Sequence, residues 1–169
     1  MAALDDLARR LDAATAAMLA MQGRVDDAGP WPLAELYGTE AEASWGPPEL
    51  LAHVDEMLPY WLGHAERVID GARAGTDVAF GRTAEDPIRI GVIGRDREMP
   101  LRELFSRLGS EGARVTARLR MISPAEATAA GTHQTRGPFT VEALFERFVV
   151  GHLEDHVRQL EDILATRGA

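Results

Sequence analysis

The chain contains no cysteine and no lysine. Without cysteine there are no disulfides, thiolate nucleophiles, iron–sulfur clusters or thiolate zinc sites, so any metal must be held by nitrogen and oxygen. Without lysine, Schiff-base chemistry, pyridoxal phosphate attachment and a P-loop are excluded. Long apolar runs are also missing. No stretch approaches the roughly 18 apolar residues of a membrane span, and the start "MAALDDLARRLDAATAAM" places Asp5 and Asp6 where a signal peptide needs positive charge. A cytoplasmic protein is expected. Positive charge is scarce: 18 basic against 27 acidic residues give a net charge of -9. The mean field repels phosphate backbones and anionic lipid alike. The expected partner is a small molecule, with no nucleic acid and no membrane.

What remains is a helical vocabulary. With 46% hydrophobic residues, 169 residues suffice for one domain with a buried core, expected over 1–169. Leu4, Leu7, Leu11, Ala14, Met18, Met21 and Val25 alternate spacings of three and four, which predicts a helix from residue 3 to 27. Pro47 and Pro48 start a second helix that Gly71 and Gly75 end, with a kink expected at Pro59. Leu101, Phe105, Leu108, Gly112, Val115, Leu119 and Ile122 predict a third over residues 99–122, and Thr140 caps a fourth. Residues 76–96 show neither helical period nor alternation and are too long for a simple helix–helix loop. An all-α four-helix bundle with a long crossover between helices 2 and 3, and no sheet of consequence, is the expected architecture.

Chemistry concentrates in the histidines. His152 and His156 lie about 40° apart on the last helix, on a stripe shared with Val141, Phe145, Phe148, Val149 and Ile163, so both should face inward. On the second helix His53 shares a face with Leu50, Met57, Tyr60 and Val68. Burying three imidazoles is costly unless each finds a partner, and one divalent cation partners all three. Three protein ligands with an open position make the arrangement of a catalytic rather than a structural site.

Near misses narrow the class. Leu153 stands where an H-E-x-x-H metallopeptidase needs glutamate, and Leu50, Trp61 and Val149 stand where di-iron bundles need it three residues before a histidine. His64 competes with His53, since it returns to nearly the same face about three turns, ~16 Å, further along. Spacing alone leaves both open. Asp55 and Glu56 read as surface carboxylates, Asp155 as a candidate support for a ligand, and Arg82, Arg89, Arg95 and Arg97 as solvated arginines that could alternatively bind a carboxylate.

Two stretches, "SWGPPELLAHV" and "GPFTVEALFERFVVGHLEDHVRQLEDIL", resemble the DinB-like metal-binding bundles, a family that includes S-transferases using bacillithiol, mycothiol or glutathione. Trp45 precedes His53 by eight residues, and the paired histidines lie midway along the last helix. The resemblance implies a divalent metal on His53, His152 and His156, with His53 rather than His64 as the ligand of the second helix; imidazole ligands suit zinc or nickel before iron or manganese, and His133, in the glycine-rich "AGTHQTRG" loop, is not expected to take part. The resemblance also implies transfer of a small thiol cosubstrate onto an electrophile. A non-catalytic metal- or ligand-binding bundle and a metal-dependent hydrolase are the competing functions. The crossover and the loop around His133 are the expected cleft walls. The exposed sides of helices 1 and 3 are the candidate faces of a homodimer, though neither carries an apolar stripe that demands one.

Overall fold

A computed structural model describes residues 2–38 and 41–168. The elements are α1 (Ala2–Ala20), α2 (Gln22–Asp27), a 3-10 turn (Ala41–Ser44), α3 (Pro47–Ala74), β1 (Ala79–Phe80), α4 (Pro87–Asp96), α5 (Leu101–Met121), α6 (Pro124–Ala127), β2 (Ala130–His133), β3 (Gly137–Thr140), α7 (Val141–Phe145) and α8 (Gly151–Thr166). A π-helical turn, Glu146–Val150, joins α7 to α8, so these three pieces act as one long fourth helix. Helix α1 packs on α5 and α8, and α3 packs on α5, α7 and α8, closing the four-helix bundle.

The apolar stripes are what the bundle buries. Leu4, Leu7, Leu11, Ala14, Met18, Met21 and Val25 all face the core, as do Leu104, Phe105, Leu108, Val115 and Leu119 from α5. Each buried leucine contributes roughly 1.5–3 kcal/mol relative to exposure. Helix α3 starts on Pro47 and ends at Gly75, whose φ of 68° places it in the left-handed region that closes helices. The helix continues through Pro59 without interruption. Among the described residues, no helix is long and apolar enough to cross a membrane.

Three expectations are corrected. The first helix is divided at Met21, whose N–H bonds the Met18 carbonyl at 3.1 Å in a tighter three-residue step. The crossover contains a helix, α4, because the Asp86 side chain accepts from the Ile88 and Arg89 amides at 3.0 and 2.9 Å and Pro87 takes the first turn. Gly91 and Gly94 had diluted its helical pattern, although Ile90 and Ile93 are buried. A small sheet also exists, in the order β1-β2-β3, with β1 parallel and β3 antiparallel to β2. Phe80 pairs with His133, so this sheet ties the crossover to the loop before α7 and closes one end of the cleft.

Candidate functional site

Helices α3 and α8 bring three histidines together. The ring nitrogens of His53, His152 and His156 offer one ligand atom each, all within 4.8 Å of one another. His53 sits in the second turn of α3, held there by a well-anchored helix start: Glu49 is fully buried and its carboxylate accepts from the Gly46 and Ala34 amides at 3.1 and 2.9 Å. Trp45 meets the His53 ring edge-on, with centroids 5.6 Å apart. His152 and His156 follow from the i, i+4 spacing on α8, with centroids 4.6 Å apart.

The donor set fits a divalent cation. His53 Nε2 and His152 Nε2 are 3.4 Å apart, and two nitrogens about 2.1 Å from a shared tetrahedral zinc would lie ~3.4 Å apart. Nε2 of His156 is buried with no hydrogen-bond partner, which is costly for a polar atom unless something else fills its lone pair. Nδ1 of the same ring lies 2.9 Å from Gln159 Oε1. The Gln159 amide nitrogen donates to the Glu42 carbonyl at 2.7 Å, so its oxygen is the end that faces the ring. An oxygen acceptor there places the proton of neutral His156 on Nδ1 and leaves the Nε2 lone pair aimed at the cluster.

Burial keeps these rings neutral. It holds His53 well below the ordinary imidazole value, with further lowering by His156 and Arg89, and it lowers His152 to about 3. Burial also lowers His156, against the Gln159 contact, which acts in the opposite direction. Neutral imidazole is the ligating form.

The cluster opens on one side into a cleft of about 600 Å³. His53 and His152 form part of its floor, Arg82, Thr83 and Ala84 come from the crossover, and His133 comes from β2. Both predicted walls are present. His64 lies apart, its ring stacked at the edge of Tyr60 with centroids 4.5 Å apart, and it does not join the three-histidine group. Burial lowers His64 to about 4.

Several charged residues are not where the sequence suggested. Asp55, expected on the surface, is 1% exposed; burial raises its carboxyl to about 8 against the opposing pull of Arg107. Glu56 is half-buried, its side chain largely covered by its pairing with Arg82. Arg82 stacks on Tyr60 at 3.6 Å, and Arg89 is bound by the Glu42 carboxylate and donates to the Ala84 carbonyl at 2.9 Å. Neither is a solvated arginine, whereas Arg95 is exposed beside Asp96. Arg97 is mostly covered and donates to the Ala34 carbonyl at 2.5 Å. Asp155 points outward to Arg158 and gives no hydrogen bond to either histidine of α8. The support that Asp155 was expected to give comes from Gln159, whose signal was its position three residues after His156.

A helical bundle that gathers three imidazoles, His53 and His156 buried and His152 half-buried, beside an open cleft defines a class of protein with a candidate metal site between its helices. The chain belongs to the DinB superfamily, whose family model matches residues 3–160. It is similar in fold to YfiT from Bacillus subtilis, described as a probable metal-dependent hydrolase with an unusual four-helix bundle topology. That match has a TM-score of 0.63 and 13% identity, covering 94% of this chain and 87% of the other. Comparison with curated proteins gives no match.

Proposed function

We propose that this protein is a metal-dependent transferase that joins a small thiol to an electrophilic carbon, with a divalent metal held by His53, His152 and His156. The observation that carries the metal reading is the orphaned, tautomer-fixed Nε2 of His156, buried beside two further imidazoles that face an open cleft. An all-nitrogen donor set suits zinc or nickel ahead of harder ions. A cation bound there would lower the pKa of a coordinated thiol or water and supply a nucleophile near neutral pH.

The chain's own residues support thiol transfer in two ways. Among the described residues the acidic side chains beside the cluster are ion-paired, Glu42 with Arg89 and Asp155 with Arg158. A thiol, already acidic, needs a free base less than water does. The cleft is also large enough for a nucleophile and an electrophile together. In the reaction the thiol loses its proton to solvent, sulfur bonds to carbon, and the broken bond's pair leaves with the halide or, for an epoxide, stays on the ring oxygen, which takes a proton from solvent.

A second reading is hydrolysis, favoured by the fold likeness to YfiT. The two are separated by one assay on metal-loaded protein. Thiols of low molecular weight are offered with chlorodinitrobenzene or an epoxide, and activated esters are offered without thiol. Metal-dependent thioether formation supports the transferase; ester cleavage without thiol, and no thioether, supports the hydrolase.

A further inference from the structure

We infer that the end of the cleft at His133 and Arg136 is a subsite for the anionic tail of an elongated small molecule whose reactive end lies at the three-histidine cluster. The proposal rests on the cluster being the reactive centre and goes beyond it by naming the chemistry of the ligand's far end.

His133 is held too tightly for a loop residue without a task. It is 3% exposed. Its ring stacks on Phe148 with centroids 5.2 Å apart and planes 10° from parallel, and Phe148 stacks in turn on Trp61 at 4.5 Å. Phe80 meets it edge-on at 5.4 Å. Gly81, at a φ of +85°, makes room for the ring, since a Cβ there would come within 2.4 Å of His133 Nε2.

The hydrogen bonding then fixes the proton. The Thr135 backbone amide donates to His133 Nδ1 at 3.2 Å. An N–H can only donate, so Nδ1 carries the lone pair and neutral His133 carries its proton on Nε2. That Nε2–H has no partner among the described residues and is not fully buried, so it reaches the cleft that His133 lines. It is a fixed donor, met by water in the open cleft and available to an acceptor on a ligand.

Charge says what kind of acceptor. Six arginines and four carboxylates line this cleft, in a chain whose net charge is -9. Arg10 is bound by Glu146 and Glu154, Arg82 by Glu56, Arg89 by Glu42 and Arg158 by Asp155. Arg136 and Arg147 have no ion-pair partner among the described residues. Arg136 lies three residues from His133 and turns a neutral donor site into one suited to a carboxylate.

Helix geometry sets the reach. Phe148, beneath His133, precedes His152 by four residues, and Trp61 follows His53 by eight. These spacings put the subsite about 6–12 Å from the cluster along the bundle. The wall between the two ends includes Trp61 and Phe148, which suits an apolar middle.

The test uses cobalt-loaded protein and three thiol probes: mercaptohexanoate, mercaptohexanol and the short mercaptoacetate, each titrated against the thiolate-to-cobalt charge-transfer band. Mercaptohexanoate should bind about ten-fold tighter than the other two, the scale of one charge-assisted hydrogen bond. His133→Phe and Arg136→Ala should each remove most of that preference and leave mercaptohexanol unchanged. Equal affinities for acid and alcohol, or a preference untouched in both variants, would overturn the proposal. If no thiol gives a band, the thiol reading of the cluster has failed, and the subsite is judged separately on metal-free protein titrated with hexanoate. A shift of the His133 Nε2 nitrogen resonance then supports the subsite, and an unmoved resonance overturns it.

Discussion

Gln159 Oε1 stands 2.9 Å from Nδ1 of His156, and the Gln159 amide nitrogen is tied to the Glu42 carbonyl at 2.7 Å. One side chain therefore sets the proton of a buried histidine and links α8 to the turn before α3. Gln159→Ala should lower metal affinity about 10–100-fold while the fold persists, because the lost contact orients a ligand without supplying one. Competition with a chromogenic chelator measures it; unchanged affinity would remove Gln159 from the account.

Acid should act on the metal and the fold together. Burial holds His53 well below its ordinary value, His152 at about 3 and His64 at about 4. The unfolded chain takes up these protons near pH 6.5, so it binds more protons than the folded chain below that pH. The histidines' contribution to the stability of the metal-free protein is thus full above about pH 6.5 and falls progressively towards pH 3. Bound metal adds competition with protons for the same nitrogens, so metal should leave below about pH 6. Full metal content at pH 4.5 would contradict histidine ligation, and a melting temperature flat from pH 7 to 4 in metal-free Asp55→Asn, where the opposing carboxyl is gone, would contradict buried neutral rings.

Asp55 titrates in the opposite sense. Its folded value of about 8 lies above the unfolded one, so its protonated form stabilises the fold at low pH and that stability is lost as pH rises through 8. Neither carboxyl oxygen has a hydrogen-bond partner, and Arg107 Nε approaches only to 3.5 Å. Asp55→Asn should flatten the decline in stability between about pH 4, the unfolded value, and about pH 8, the folded one. Parallel melting curves for the two proteins across that range would show that Asp55 is ionised in the fold.

Phe148→Ala should cost about 3–5 kcal/mol, the usual cost of deleting a buried phenylalanine, because it removes the ring on which Trp61 and His133 both stack. Denaturant unfolding checks the magnitude. A cost below about 1 kcal/mol would mean that the wall repacks.

The long helices were legible because their stripes repeat over many turns: every stripe residue assigned to α1 and α2, from Leu4 to Val25, is buried. The three clustered histidines were legible for the same reason, since helical spacing fixes which face a residue occupies. Short elements were not. β1 has two residues and is held by pairing with a segment fifty residues away, information that no local pattern carries. Burial of Asp55 and Arg89, and the partial covering of Glu56, were missed because a charge reads as exposed until its partner is known. Asp55 and Arg107, and Arg89 and Glu42, meet only across elements. The tautomer of His156 likewise depended on Gln159 reaching Glu42 across 117 residues of sequence.

The central claim is that His53, His152 and His156 hold one divalent metal, and elemental analysis of protein purified without chelator or affinity-tag metal tests it most directly. The account predicts close to one transition-metal ion per chain in the parent protein and in His64→Ala, and little in His53→Ala, His152→Ala or His156→Ala. A parent protein that takes up no metal, or a His53→Ala variant that keeps it while His64→Ala loses it, would contradict the account.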